Sequence, residues 1–401
     1  MRVADISEFY APTGGVRNHL NTKGRVLREA GHDHLVVAPG KRDLDGPLDS
    51  AQGRAVGSAR VVQVRGPTLP YDSNYQLLWR LDRVRRAVLA FGPDVLTLNS
   101  LYMTTLAVAA LPSSFSALRT LFWHADFIDT YLRSRLPSQI PAAIGDALFE
   151  PLWALVRKVA NGSAATLAAS KSQVRKLREH GVERVIYLPF GIDRGMFRPA
   201  KRSLAVRAEL LGSASSAHLL VGVGRLSGEK RWDVVIEGVQ RLQLERPVRL
   251  VILGEGPELE RLRRMCDPRV VTIAGPERDR QRLAAVMASA DAFVHGGAFE
   301  TYGFSVAEAM ASGLPVVVPA SGAVLDLIEP ACSETFEPGS AAACTSALAR
   351  VLGPELERYR GAALAAADGV LDSSQQILEM VRIYQELLAE RARSSCQSLR
   401  T

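Results

Sequence analysis

Only four cysteines occur among the 401 residues, Cys266, Cys332, Cys344 and Cys396, and they form neither a CxxC pair nor a dense framework. That spacing does not describe a disulfide-stapled secreted scaffold, so reduced thiols in a cytoplasmic compartment are expected. Long apolar runs are also missing: no stretch approaches the roughly 18 apolar residues of a bilayer-spanning helix. The opening segment, MRVADISEFYAPTGG, lacks the charged n-region and apolar h-region of a signal peptide. The expectation is a cytoplasmic chain that neither is secreted nor spans a membrane. No internal repeat or low-complexity tail is visible. A metal-ligand set is absent too: His32 and His34 fall outside any recognised ligand pattern, and Asp43 and Asp45 read as part of a polar loop.

What is there is a core-bearing composition, 47% hydrophobic and 23% charged, which places the chain among folded soluble proteins rather than disordered ones. Its length suits two domains of similar size. The formal net charge is +7, concentrated in short helical stretches at residues 81–86, 171–178 and 261–264. Two readings stand: solvated helix faces, or attraction to an anionic membrane surface or phosphorylated substrate. No nucleic-acid module accompanies the charge, so no nucleic-acid partner is expected. Residues 147–158 (ALFEPLWALVRK) form an amphipathic stretch, read either as core-facing helix or as a lipid-docking one.

Short β-branched runs alternate with longer amphipathic stretches, the pattern of parallel α/β architecture. In the first half, residues 2–6, 34–38, 60–64, 95–99, 119–124, 166–170 and 185–188 read as strands. Helical patterns lie between them at 16–30, 76–91 and 171–180. A second series of strands follows at 219–222, 248–253, 270–274, 292–295 and 315–319, with helices at 232–243, 258–265, 281–288 and 304–311. Two consecutive doubly wound sheets fit this better than one long sheet. The joint falls at residues 189–199 (PFGIDRGMFRP), where prolines and glycines interrupt both periodicities, and a final helix is expected at 375–392. Ligands of open α/β sheets bind at the carboxyl ends of strands, so two facing sheets imply a cleft.

Four groups of residues could carry chemistry. Thr13, Gly14, Gly15 and Val16 follow the first strand and open a helix: paired glycines admit a ligand close to the backbone, or simply make a tight turn. Residues 222–231 (GVGRLSGEKR) put Arg225 and Lys230 five apart at a strand end, where two cations suit a diphosphate; surface charges are the alternative. Gly222 and Gly224 lack the third glycine of a dinucleotide fingerprint. The most specific stretch is residues 300–308 (ETYGFSVAE), with Glu300 in a loop, a helix starting near Gly303, Phe304 and Ser305, and Glu308 about one turn inside. Carboxylates accept hydrogen bonds from vicinal hydroxyls, as on a sugar or ribose. Against that, Ser305 and Glu308 also match a capping box. His124 ends a strand with Asp126 two residues on; it either meets a substrate hydroxyl or is a buried structural histidine.

Together these motifs resemble glycosyltransferase family 4, the retaining transferases of GT-B fold. The likeness spans essentially the whole chain and rests on the Gly-Gly loop, GRLSGEKR, the run ADAFVHGG (290–297), Glu300 with Glu308, and FGID at 190–193. It implies an acceptor-binding Rossmann-like domain over 1–192, a donor-binding one over 193–370, and a terminal helix, 371–401, packed back on the first. The resemblance assigns Arg225 and Lys230, beside Gly224, to the donor diphosphate and Glu308 to the ribose. It assigns Glu300 and the amides of Tyr302, Gly303, Phe304 and Ser305 to the transferred sugar. Gly14 and Gly15 would line the diphosphate and acceptor side, and His124 would lie near the reacting carbon. Residues 273–277 and Leu283 would cover the base. The implied reaction is transfer of a hexosyl group, mannosyl favoured, from GDP-mannose or a UDP-sugar to a glycan, lipid-linked or small-molecule hydroxyl. No cofactor is expected beyond that co-substrate, no metal is required, and the location is cytoplasmic or peripheral on the inner membrane face. Two departures stand out: residues 319–326 (PASGAVLD) carry one glycine and an Asp where the family often has Gly-Gly and Glu, and residues 275–282 are unusually charged for a base-covering loop. The alternatives are an epimerase or phosphorylase on the same fold, or a non-catalytic nucleotide-sugar or phospholipid-binding protein.

Overall fold

A computed structural model describes residues 1–8, 10–11, 14–49, 55–70, 72–101, 103–133 and 142–398. Its chain divides into two compact units, one of Met1–Ile128, Arg135–Pro189 and Ser373–Thr401, the other of Asp129–Ser134 and Phe190–Asp372.

The first unit is built on strands β1 (Arg2–Ile6), β2 (Asp33–Gly40), β3 (Leu44–Asp49), β4 (Ala55–Arg65), a small ribbon of β5 (Thr68–Leu69) and β6 (Asp72–Gln76), then β7 (Val95–Leu98), β8 (Leu118–Trp123), β9 (Ala165–Ala168) and β10 (Val185–Tyr187). The main sheet has the order β10-β9-β8-β7-β1-β2-β4-β3 and is parallel except for β3. Chain order reverses between β1 and β7, and that is where doubly wound sheets present ligand sites. Its helices are α1 (Gly15–Glu29), α2 (Leu81–Phe91), α3 (Met103–Ala109), α4 (Ala142–Asn161) and α5 (Lys171–Glu179). Strands β7 and β9 are buried at every position, the consequence of helices covering both faces.

The second unit has strands β11 (His218–Val223), β12 (Val248–Leu253), β13 (Val271–Gly275), β14 (Ala292–Val294), β15 (Val316–Pro319) and β16 (Ser333–Phe336). They form one parallel sheet in the order β13-β12-β11-β14-β15-β16, so its switch point lies between β11 and β14. Helices α6 (Leu204–Leu211), α7 (Trp232–Leu242), α8 (Leu259–Met265), α9 (Arg280–Ser289), α10 (Phe304–Ala311), α11 (Ala341–Val351) and α12 (Leu356–Ala367) surround it. Each unit has its own core, one around Trp123 and Trp153, the other around Trp232 and Ile252.

The last helix, α13 (Ser373–Ser398), belongs to the first unit although it is the most distant in sequence. Ile377, Met380, Tyr384 and Leu387 are buried at helical spacing, giving it one apolar stripe.

Several expectations change. The helix expected over 76–91 starts at Leu81, because Asp72–Gln76 pairs as a strand with Thr68–Leu69. The final helix is longer than 375–392 at both ends. Asp45 does not sit in a free polar loop: Leu44–Asp49 pairs antiparallel with β4, and Arg60 Nε donates to Asp45 at 2.6 Å, while Asp43, just before that strand, accepts from Arg65 N at 2.8 Å. The basic stretch 261–264 is partly neutralised, with Arg261 held by Glu258 and Arg263 by Glu260 at 3.0 Å. In helix α4 the core-facing reading holds for part of the surface. Phe149, Trp153 and Val156 face the core, while Ile144 and Leu148 are 60% and 58% exposed. Among the described residues no helix is long and apolar enough to cross a membrane, and no group of His, Cys, Asp and Glu could hold a metal ion.

Candidate functional site

In the second unit the chain leaves β11 through Gly224, whose N–H donates to Leu253 O at 3.1 Å. Arg225 then precedes a single 3-10 turn, Gly228–Lys230, whose last residue is Lys230. Trp232 Nε1 donates to Arg225 O at 2.9 Å and so anchors the loop to the first turn of α7. Between turn and helix, Arg231 takes φ 47°, a left-handed conformation that only it adopts among the described non-glycine residues. Such strain concentrates at functional sites. Arg225 pairs with Glu229, whose carboxylate also accepts from Ser227 Oγ at 2.6 Å. Burial would raise the Glu229 carboxyl, but Arg225 and Ser227 outweigh it and lower it.

Across the switch point β14 ends at Val294, and residues 295–303 form the facing loop. Lys230 Nζ donates to Glu300 Oε1. His295 Nε2 lies 2.9 Å from the same oxygen. Burial alone would raise the Glu300 carboxyl; the Lys230 ammonium and the neighbouring His295 reverse that and hold it well below the usual carboxylate range. A Cβ at Gly297 would stand 2.8 Å from His295 Nε2 and 3.1 Å from Glu300 Oε1, so the glycine is what lets these two side chains close up.

Helix α10 begins at Phe304 behind Gly303, which caps it at φ 99° without any side-chain cap. The capping-box reading of Ser305 and Glu308 therefore fails: Ser305 is already inside the helix, and Glu308 accepts from Arg280 Nη2 at 2.9 Å. The Arg280 guanidinium also covers the Phe197 ring at 4.7 Å. For Tyr302 the resemblance implied a role for the amide only, and its side chain is taken up by packing. Its side chain is 4% exposed, its hydroxyl donates to Phe190 O at 2.5 Å, and its ring packs edge-on against Phe190 and Phe304. Only its backbone remains a candidate for ligand contact. Leu283 is buried on α9.

The first unit brings a separate group to the carboxyl ends of β1, β7 and β8. His124 follows β8, stacked on Phe122 at 4.4 Å, with Nε2 2.6 Å from Asn99 Oδ1. Burial drives its pKa down to about 3, so the ring is neutral. Asp126 turns away to pair with Lys176. Gly14 is the extended residue before α1, and a Cβ there would meet nothing within 4 Å; Gly15 opens the helix. Thr13 lies outside the described residues.

Sequence reasoning missed five polar residues that this geometry brings forward: Asp5, Glu8, Asn99, Arg280 and His295. Position at a strand's carboxyl end was the available signal for Glu8, Asn99 and His295.

Residues 13–195 match the family Glycosyltransferase Family 4, and residues 217–353 match Glycosyl transferases group 1. A GDP-mannose-dependent alpha-mannosyltransferase of Corynebacterium glutamicum is 32% identical over 332 residues, covering 82% of this chain and 74% of the relative. The chain belongs to glycosyltransferase family 4. A second relative of this family 4 glycosyltransferase is the GDP-mannose-dependent alpha-(1-6)-phosphatidylinositol dimannoside mannosyltransferase of Mycobacterium tuberculosis, 27% identical over 90% of each chain. Its fold is shared with sucrose-phosphate synthase from Thermosynechococcus elongatus, at a TM-score of 0.79 and 18% identity over 97% of this chain and 100% of the other. The architecture is thus GT-B, and the protein is a hexosyltransferase drawing on a nucleotide sugar. The group 1 match, 217–353, encloses Arg225, Lys230, Glu300 and Glu308 of this glycosyltransferase, and the family 4 match encloses Gly14, Gly15 and His124.

Proposed function

We propose that this glycosyltransferase moves a mannosyl group from GDP-mannose, with retention of anomeric configuration, onto a hydroxyl of a lipid-linked acceptor. The observation that carries the donor half is the pair Arg225 and Lys230 held at the end of β11, each already engaged by a carboxylate, Glu229 and Glu300. Opening a glycosidic C–O bond separates charge, so preorganised cations on the departing diphosphate are the largest catalytic contribution to expect. Lys230 exchanges its hold on Glu300 for the phosphates, and the released carboxylate accepts from sugar hydroxyls. Glu308 leaves Arg280 for the ribose hydroxyls in the same way. The backbone of Gly303, Phe304 and Ser305 supplies further donors. Gly14 and Gly15 serve the acceptor side, and His124 meets the transferred sugar. The departing diphosphate takes the acceptor proton, so no side-chain base and no metal are needed. The two mannosyltransferase relatives support GDP-mannose as donor.

Substituting Arg225 or Lys230 by alanine should lower turnover on the order of a hundredfold to a thousandfold with the fold intact. A panel of nucleotide sugars, scored for slow hydrolysis without acceptor, should single out GDP-mannose. Preference for a UDP-sugar would overturn the donor assignment, and near-normal turnover in the alanine variants would overturn the site.

The lipid half rests on the outer face of α4, where Ile144, Leu148 and Leu155 stand exposed near Lys158. An apolar stripe beside positive charge suits an anionic membrane surface on the cytoplasmic side. Co-sedimentation with phosphatidylinositol-containing vesicles at low salt should be lost on replacing Ile144 and Leu148 by serine; equal sedimentation would count against it.

A further inference from the structure

Beneath His124 lies a buried polar cluster that no part of the mechanism above uses. Asp5 is wholly buried in the middle of the first sheet and its carboxylate is fully engaged. Oδ1 accepts from Lys23 Nζ at 3.0 Å and Asn99 Nδ2 at 2.9 Å, and Oδ2 accepts from His34 Nε2 at 2.7 Å. Burial would raise this carboxyl, but Lys23, His34 and Asn99 more than reverse it, so Asp5 is an anion that can only accept.

That settles how the Asn99 amide is turned. Its Nδ2 faces two acceptors, Asp5 Oδ1 and Ile6 O at 3.4 Å. A flipped amide would set an oxygen against a carboxylate and a carbonyl, with no donor between them. Oδ1 of Asn99 therefore points at His124 Nε2, 2.6 Å away, and an oxygen without a proton there requires Nε2 to carry one. Since the ring is neutral, Nδ1 then holds the lone pair.

We propose that Asn99, clamped by Asp5, is a positioning residue that locks His124 in the Nε2–H tautomer, so that its Nδ1, buried in this structure, is left as a hydrogen-bond acceptor for a hydroxyl of the transferred sugar. This rests on the reading of His124 as a sugar contact. Two consequences distinguish it from simple core packing. His124 cannot act as a general acid in this state, having no proton on Nδ1 to give. It also carries no positive charge that would oppose the cationic sugar of the transition state. The chain order of the cluster shows why local sequence hides it: Asp5 and Asn99 are 94 residues apart, and Lys23 and Tyr384, whose hydroxyl meets the Lys23 ammonium at 3.2 Å, are 361 apart.

The test uses the full chain labelled with ¹⁵N-histidine. The His124 resonances, assigned by their disappearance in His124→Gln, should show a protonated Nε2 and an unprotonated Nδ1 across pH 6 to 8. Asn99→Leu, which keeps the branched shape of the side chain and removes the acceptor, should release the ring into a mixture of tautomers. It should also lower kcat on the order of tenfold to a hundredfold while changing donor KM less. An Nδ1–H resonance in the wild-type protein overturns the proposal. So does an Asn99→Leu variant that keeps both tautomer and kcat. Should that variant not fold, the wild-type spectrum decides by itself. Should the wild-type protein turn over no nucleotide sugar, the proposed reaction fails while the tautomer measurement still stands or falls on its own.

Discussion

Glu8 shows how one side chain can work against stability as pH rises. It follows β1, its Oε1 accepts from Thr104 N at 3.1 Å, and burial raises its pKa from 4.5 to about 7. The folded state thus holds this proton more tightly than the unfolded one. The associated stabilisation is complete below pH 4.5 and is lost as pH rises through about 7. Glu8→Gln keeps an acceptor for Thr104 and cannot ionise. Its stability relative to wild type should therefore improve between pH 5 and pH 8, by at most about 3 kcal/mol. Denaturant unfolding at the two pH values measures this, and an identical difference at both would refute the shift. Gly297 makes a second residue-scale case. Gly297→Ala places a methyl 2.8 Å from His295 Nε2, forcing His295 and Glu300 apart. Transfer should fall at least about tenfold, because misplacement of about 1 Å is costly at a reacting centre. A steady-state assay beside a melting curve would show whether activity falls far more than stability.

Among the elements, α13 is the one whose attachment has an internal scale for its energetics. Tyr384 is fully buried and its hydroxyl meets Thr97 Oγ1 at 2.7 Å and Lys23 Nζ at 3.2 Å. Removing that hydroxyl with Tyr384→Phe leaves neither group orphaned. Thr97 keeps Thr120 at 3.0 Å, and Lys23 keeps Asp5. The cost should stay near 1 kcal/mol. Lys23→Met is a different matter: it strips the paired ammonium from the fully buried Asp5 carboxylate, and breaking a buried pair costs about 3–5 kcal/mol. Chemical denaturation of the two variants should rank them in that order, and equal losses would show that Asp5 does not depend on Lys23. Helix α10 carries the opposite lesson about local signals. Its bounds follow from its own residues, yet the Ser305 and Glu308 spacing suggested a cap that tertiary contact with Arg280 replaces.

For the whole molecule, two largely parallel sheets have switch points at β1/β7 and β11/β14, near which the candidate residues of each unit gather. The cationic loop and both glutamates sit in the second unit alone. Nucleotide diphosphate should therefore protect that unit's amides from hydrogen exchange, first at residues 224–231 and 295–308. A ligand at a hundred times its Kd contributes about 2.7 kcal/mol of stabilisation. Protection confined to residues 1–128 would contradict a donor site at the end of β11.

Alternation of β-branched runs with amphipathic stretches, read from the sequence by itself, determined two doubly wound sheets and the helix at 304–311, because burial on both faces leaves a periodic trace in the chain. The motifs likewise marked Arg225, Lys230, Glu300 and Glu308 as candidates, since each lies in the loop after a strand or in the helix that this loop opens. Short pairings without an apolar pattern were not legible, as at Leu44–Asp49 and Asp72–Gln76, where the partner strand decides the conformation. Nor could any local signal show that Asp5, Lys23, His34, Asn99 and Tyr384 share one buried cluster, or that Glu308 holds Arg280. Those partnerships are set by desolvation, which depends on what the folded chain brings together and leaves no period in the sequence.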